Sequence, residues 1–403
     1  MKKRRIVKTV RRKVLLLLGV YYSQHHMGVA RYAREAGWIL EKGCVDEPDV
    51  APVWWRGDGM ITLITSSNNY AAFRMLPEVP MVDLSRGWVT NAVPPRLRAT
   101  GRDRPRVLQD NESISRLAAT HFLERGFRHI AFVNFGNWWM ETERMQTFAR
   151  TVRQAGAEYH EIEYYKHFCR QAAAADKLKP VAHRWLMESI RKLPKPVGIF
   201  AATDDLALDL LRTCEDAGVS IPEEVAVLGC DNSELICNFA PVPLSSVDPD
   251  LELQGYEAAR MLGQLMDGKP APSEPLLVPP KCVVTRQSTN ILAVPHVPTA
   301  RALQFIWEHY REPIQTPEIA AAAGLSRRAL ERAFLKHLQR TVVEEITRRR
   351  VEHAKELLLN PDIKIYQVAE QSGFANGMYF SKVFQQWSGE RPSHYRRQRI
   401  SCG

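Results

Sequence analysis

Short apolar runs alternate with amphipathic stretches along the first two thirds of the chain. Val14–Val20 is nearly continuous apolar sequence, and a helical pattern follows it, ending near Gly37 with Met27, Ala30, Tyr32 and Ala33 as its buried positions. Apolar runs recur at 58–64, 79–83 and 107–110, and the last leads into a helix over 111–125. A strand at 129–133 precedes a helix over about 141–155, a strand at 197–202 feeds a helix over 204–217, and 225–229 runs into a loop. Short strands separated by helices predict parallel sheets with right-handed crossovers. The region is too long for one doubly wound sheet, so two lobes are expected, with ligand beyond the carboxyl ends of the strands.

The periodicity turns wholly helical near the C-terminus. Val343, Ile346, Val351, Ala354, Leu357 and Leu358 fall within one arc of about 140° and predict a long amphipathic helix. A helix-turn-helix pattern stands on either side of it. In the first, over about 316–338, Ala320 permits a close crossing, Gly324 takes the turn, and Ile319, Ala323, Leu325 and Leu330 fill the wedge. The second, over about 364–388, repeats Ala369 and Gly373 at the same interval. Trp307, Leu330, Phe334, Leu357, Phe380, Phe384 and Trp387 are expected to give this region its own core. The run from Gly373-Phe374 through Tyr379-Phe380-Ser381 and Phe384 to Gly389-Glu390-Arg391-Pro392 resembles the signature of the AraC-type DNA-binding domain. That resemblance covers about 299–403.

Charge agrees with a nucleic-acid partner. The chain carries 55 Lys and Arg against 45 Asp and Glu, a net charge of +10. Residues 1–13 hold eight cations and no anion, 298–403 hold 17 cations against 11 anions, and 14–297 hold 30 against 34. The positive excess therefore sits at the two ends, where phosphate contacts are expected. Seven scattered cysteines without a Cys-x-x-Cys spacing suit a reducing cytosol and argue against a disulfide framework or a structural zinc. The apolar run after the basic tail is too short for a leader and reads as a buried strand, and no other stretch approaches membrane length.

Several middle segments match the sugar-binding domain of lac and galactose repressor-type regulators, itself similar to periplasmic sugar-binding proteins. They include Asp110-Asn111 through Ile130, Phe200-Ala-Ala-Thr203-Asp204, Gly229-Cys-Asp231-Asn232 and Leu244-Ser-Ser-Val-Asp248. With an AraC-type reader after this domain, the whole chain resembles the bacterial xylose operon regulator family. The resemblance implies an α/β two-lobed periplasmic-binding-protein-like domain of parallel sheets flanked by helices, followed by an all-α domain with two helix-turn-helix units. The expected order is a basic tail (1–13), a sugar-binding and dimerisation domain (14–286), a linker (287–298) and the DNA-binding domain (299–403). It also implies a cleft lined at Asp110, Arg144, Thr203 and Asp231.

Sugar hydroxyls are taken in pairs by carboxylates and amides, bidentately by Arg, and covered on their C–H face by an aromatic ring. Asp110 is read either as a ligand or as a plain N-cap of its helix; Asp204 is read as a cap. Tyr21, after the first strand, and Trp138, in a loop after 129–133, are candidates to cover the sugar. The His25-His26 and Trp54-Trp55 pairs are read as surface or core residues. On the DNA side, Ser326, Arg327, Arg328, Glu331 and Arg332 are the exposed positions of the first recognition helix, and Asn376, Gly377, Met378, Ser381 and Lys382 those of the second. Arg328 and Arg332 are one turn apart and suited to guanine, so the first unit should specify and the second position. Arg396, Arg397 and Arg399 are expected at phosphate or water.

No Gly-x-Ser-x-Gly, His-Glu-x-x-His or phosphate-cradling loop is present, which argues against an enzyme. The reading is a cytoplasmic, nucleoid-associated transcription regulator gated by a monosaccharide, xylose or a related pentose. An activator is expected; the alternatives are a repressor, another effector, or a ligand-free dimerisation domain. Double-stranded operator DNA, a second copy of the chain and RNA polymerase are the expected macromolecular partners, with no membrane, no metal and no cofactor.

Overall fold

The computed structural model describes residues 11–43, 55–63, 79–86, 105–134, 139–162, 175–293, 296–338, 340–358 and 360–400. In chain order the elements before the C-terminal region are β1 (Lys13–Leu18), α1 (Ser23–Glu35), β2 (Ile39–Lys42), β3 (Gly59–Leu63), β4 (Met81–Asp83), β5 (Val107–Gln109), α2 (Asn111–Glu124), β6 (His129–Val133), α3 (Trp139–Gln154) and β7 (Glu158–Ile162). They continue as α4 (Ala175–Lys192), β8 (Val197–Ala201), α5 (Asp204–Ala217), β9 (Val225–Cys230), α6 (Glu234–Phe239), β10 (Ser245–Asp248), α7 (Leu251–Met266), β11 (Leu276–Val278) and β12 (Cys282–Val284). The helices α8 (Val297–His309), α9 (Thr316–Ala322), α10 (Arg327–Leu338), α11 (Val342–Leu358), α12 (Ile365–Gln371), α13 (Gly377–Ser388) and α14 (Pro392–Ile400) complete the chain.

Contacts divide the chain into two units. The first comprises Met1–Ile114, Gly136–Arg144 and Asp248–Pro280; the second comprises Ser115–Phe135, Met145–Val247 and Lys281–Gly403. In the first, a parallel sheet runs β2-β1-β3-β4, and β5 pairs in parallel with β11. The apolar run of β1 feeds both faces: Val14, Leu16 and Leu18 join one cluster with Val29 and Leu262, while Leu15 joins another with Trp55 and Met60. A strand covered on both sides is apolar at successive positions. Helices α1 and α7 cross at two glycines, where a Cβ on Gly28 would stand 1.9 Å from the Glu252 carbonyl and one on Gly255 2.3 Å from that of His25. Any side chain there would force the helices apart. Arg12 pairs with Asp267 at 2.7 Å and Lys13 opens β1, so the last residues of the basic stretch read as a tail belong to this unit.

The second unit carries a six-stranded sheet in the order β12-β10-β9-β8-β6-β7. Strand β8 is buried throughout, and its Val197, Ile199 and Ala201 pack with Leu206 and Leu210 of α5. Residues 287–289, expected within a linker, form a short 3-10 turn bonded into this unit. Ser288 is fully buried and donates to the Val227 carbonyl at 2.7 Å.

The C-terminal helices build two clusters joined by α11: Val342 and Ile346 enter the first with Leu330 and Phe334, and Val351, Ala354 and Leu358 enter the second with Phe380 and Phe384. Two expectations fail here. Val343 is 63% exposed, and its neighbour Val342 takes the inner position; Trp387, expected in the core, is 41% exposed.

Candidate effector and DNA-binding sites

In the first unit the polar groups gather around Arg144, which is completely buried. Its Nε donates to Asn111 Oδ1 at 3.0 Å and its Nη2 to Gln109 Oε1. Asn111 in turn donates to Glu143 Oε2 at 3.0 Å, and Arg86 pairs with the other Glu143 oxygen at 2.9 Å. Gln109 closes β5 and Asn111 opens α2, so the cluster stands at the carboxyl end of a parallel strand, where open α/β folds bind ligands. Asp110 caps α2 with both oxygens, accepting from the Ser113 N–H at 3.0 Å and hydroxyl at 2.6 Å. The capping reading therefore accounts for its carboxylate, and Asn111 and Gln109, which the sequence did not single out, hold Arg144. Tyr21 is engaged by its neighbours: its hydroxyl meets His26 Nδ1 at 2.9 Å and Lys42 Nζ lies 4.2 Å from its ring centroid. Trp138 lies outside the described residues; beside it, the Trp139 ring has the Arg86 guanidinium 5.6 Å from its centroid.

In the second unit Asp231 follows β9 and is 4% exposed, with φ at 124°; Asn232 follows at 47°. Two successive non-glycine residues at positive φ cost backbone energy of about 1–3 kcal/mol each, and such strain concentrates at ligand sites. The turn is held by Asp231 N–H on the Val247 carbonyl (3.1 Å), Asn232 N–H on Ser246 Oγ (3.0 Å) and Arg286 on Asn232 Oδ1 (3.0 Å). Thr203 caps α5, accepting from the Leu206 N–H at 3.3 Å. Asp204, expected as that cap, instead braces the β9 turn: it accepts from Ser246 Oγ at 2.6 Å, Ser233 N–H at 2.8 Å and Cys237 Sγ at 3.3 Å. Burial outweighs these bonds and pushes its pKa up to about 6.

On the DNA side, Gly324 turns at φ 68° and Gly373 at 81°. A Cβ on Gly373 would also stand 2.8 Å from the Arg311 backbone, so this turn requires glycine on two counts. Ser326, just before α10, and Arg327, Arg328, Glu331 and Arg332 on it are all exposed. Ser326 caps the helix on the Ala329 N–H (3.2 Å), and Arg327 pairs with Glu331 at 2.9 Å. Among the described residues Arg328 and Arg332 have no ion pair, so this helix offers two uncommitted guanidiniums. On α13, Asn376 caps the Tyr379 N–H at 2.8 Å and Ser381 bonds back to the Gly377 carbonyl at 2.9 Å. Met378 and Lys382 stay exposed. Arg396, expected at phosphate, donates to the Leu358 carbonyl at 3.2 Å and so ties α14 to the end of α11.

A buried ion network lies within the second unit, between the end of α2 and α11. Glu345 is fully buried and accepts from Arg348 Nη2 at 2.8 Å and Nε at 3.0 Å, and from Trp307 Nε1 at 3.2 Å. Arg340 Nε lies 2.6 Å from the same carboxylate, out of hydrogen-bond line, and Nη2 donates to the Glu124 carbonyl at 2.7 Å. Arg348 also pairs with the Glu124 carboxylate. The guanidiniums of Arg349 and Arg125 stand 4.6 and 5.2 Å from the Trp307 ring centroid. Burial and the Arg349 charge push Arg125 down to about 9. Burial alone would raise Glu345, but the Arg348 charge and hydrogen bonds win and hold it below the usual carboxylate range.

Comparison with known proteins matches both halves. The periplasmic binding protein-like domain family covers residues 119–289 and a helix-turn-helix domain family covers 319–398. The xylose operon regulatory protein of Escherichia coli is 28% identical over 347 residues, 85% of this chain and 84% of that one. That of Haemophilus influenzae is 29% identical over 298 residues, 72% and 74% of the two chains. The solved structure of the xylose-binding transcription activator XylR matches at a TM-score of 0.58 and 26% identity, over 96% of this chain and 98% of its own. The chain is similar to the xylose operon regulatory proteins over most of its length. It is a DNA-binding transcriptional regulator rather than an enzyme. Among the described residues no helix is long and apolar enough to cross a membrane.

Proposed function

We propose that the regulator binds a monosaccharide, a pentose such as xylose, and acts as a homodimeric activator that recruits RNA polymerase at its operator. The observation that carries the effector reading is Arg144: a fully buried guanidinium held by amide side chains at the end of β5 is a preorganised donor for vicinal hydroxyls. Within the second unit, Asp231 on its strained turn is the candidate charged acceptor for a sugar hydroxyl. Thr203 and Asp110 act through the helices they cap, and the amides of Asn111 and Gln109 take the hydroxyl-reading part first assigned to Asp110. The resemblance to a protein described as a xylose-binding activator supports pentose and activation.

Helix α2 gives the signal a route. It begins at Asn111, which bonds Arg144, and ends at Glu124, which pairs with Arg348 of α11. A helix is stiff over this length, so sugar that reorders Arg144 moves or fixes Glu124. That end bears on the helix shared by both DNA-reading units. Effector binding thereby shifts the population between two placements of the DNA-binding helices. Calorimetry of the full chain against a panel of pentoses and hexoses tests this. Heat for one pentose without turnover is expected; no heat for any sugar leaves the domain a scaffold.

A further inference from the structure

Three side chains at the start of β6 and β7 belong to neither the effector cluster nor the DNA-binding helices. In the parallel register His129 stands beside Glu158 and Ala131 beside His160. Residues two apart share a face of a sheet, so His129, Glu158 and His160 project together from the edge of this one. His160 Nε2 is 3.4 Å from His129 Nδ1, His129 Nδ1 is 3.3 Å from Glu158 Oε2, and His160 Nε2 is 3.8 Å from Glu158 Oε1. The two rings are 28% and 18% exposed and the carboxylate 63%, so the cluster is half-sheltered with one open side.

These separations are near the edges of a coordination tetrahedron. Metal–nitrogen bonds of about 2.0–2.1 Å and metal–oxygen bonds of about 2.0–2.2 Å at tetrahedral angles set donors roughly 3.3–3.5 Å apart. As a hydrogen bond between rings, 3.4 Å is long. Two imidazoles with one carboxylate suit borderline first-row ions and not Ca2+ or Mg2+, which take oxygen donors. We propose that His129, His160 and Glu158 bind one first-row divalent transition metal ion of the Zn2+ class, water completing the tetrahedron. The site stands at the N-terminal ends of its strands, whereas effectors in such folds bind at the carboxyl ends. The Glu158 N–H bonds the Arg128 carbonyl at 2.8 Å, and Arg128 reaches the His337 carbonyl of α10 at 3.5 Å. A bound ion would therefore stiffen the strand ends beside a recognition helix.

The test titrates the chelator-treated full chain with Zn2+ by calorimetry and with Co2+ by visible absorption. One equivalent with d–d bands and no thiolate charge-transfer band is expected. The double variant His129→Gln/His160→Gln should lose that equivalent, and Glu158→Gln, whose side chain is mostly exposed and safe for folding, should weaken binding at least about tenfold. Undiminished binding in the folded double variant, a thiolate band, or Glu158→Gln binding as tightly as the parent overturns the assignment.

Discussion

Glu345→Gln is the substitution on which the buried network makes its firmest demand. The parent carboxylate is fully buried and takes two hydrogen bonds from Arg348, one from Trp307 and the close charge of Arg340. Without its charge, Arg125, Arg340, Arg348 and Arg349 keep Glu124, with Glu352 acting on Arg348 and exposed Glu344 on Arg340, and lose their fully buried counter-charge. Removing one partner of a buried pair costs about 3–5 kcal/mol. Glutamine keeps one acceptor oxygen, which places the loss at the lower end, about 3 kcal/mol. At roughly 2–4 °C per kcal/mol, the transition of the second unit should fall by about 6–12 °C in a thermal melt near neutral pH.

The pH dependence has a definite sign. The folded pKa of Glu345 lies below its ordinary value of 4.5, so its contribution is present above that pH and is lost as pH falls through the depressed folded value. The gap between parent and variant should therefore narrow in acid. Glu344→Gln is the control: Glu344 is exposed, among the described residues its carboxylate hydrogen-bonds Thr341, its charge on Arg340 is screened by water, and a glutamine caps almost as well, so the cost should stay below about 1 kcal/mol. If Glu345→Gln melts with the parent at neutral pH, the ions are solvated and the route from α2 to α11 loses its physical basis.

Asp231→Ala should weaken sugar binding on the order of ten- to a hundred-fold, the worth of a charge-assisted bond of about 1.5–3 kcal/mol, while ligand-free DNA binding persists; calorimetry with unchanged affinity would remove Asp231 from the site. Asp204, with a folded pKa pushed up to about 6, favours the folded state when protonated, so its contribution is full in acid and declines as pH rises toward 6. Asp204→Asn should flatten that part of the stability–pH curve, and an unchanged curve would mean the carboxyl is not perturbed. Arg332→Ala should cost about 1–3 kcal/mol on the native operator and relax one or two base pairs. Arg397→Ala should weaken native and scrambled DNA alike and flatten the salt slope by roughly one unit. Binding to single-base-substituted duplexes at several salt concentrations separates the two, and a uniform loss for Arg332→Ala would make it a phosphate contact.

A short unbroken apolar run or a one-faced helical pattern made an element legible in the sequence. Strand His129–Val133 and helix Asp204–Ala217 lie at the positions their patterns predict. Strand Glu158–Ile162 was missed because it is a polar edge strand, Glu-Tyr-His-Glu-Ile, whose apolar alternation is hidden. The helix Leu251–Met266 was missed because it is buried on much of its circumference, which blurs a one-faced pattern. Among candidate ligands, family position could not separate a helix cap from a side chain that holds Arg144. Thr203 and Asp110 spend their oxygens on their own helices, and Asn111 carries the bond to Arg144. That distinction depends on side-chain direction, as does the use of Arg396 on the Leu358 carbonyl rather than on DNA. The His129, Glu158 and His160 cluster was invisible for another reason: only strand register brings residues so far apart in sequence together.

Sugar gating through α2 is tested most directly by fluorescence anisotropy on a selected operator duplex, with a pentose titrated into three proteins. These are the full chain, its Glu124→Gln variant, and a fragment of residues 296–403, which carries both C-terminal clusters. The pentose that binds the full chain should change its operator affinity by at least about fivefold, at the low end of typical coupling. Glu124→Gln should bind the sugar as tightly but transmit less of the change, and the fragment should ignore the sugar. A fragment that responds to sugar, or a full chain whose DNA affinity no bound sugar alters, would contradict the mechanism.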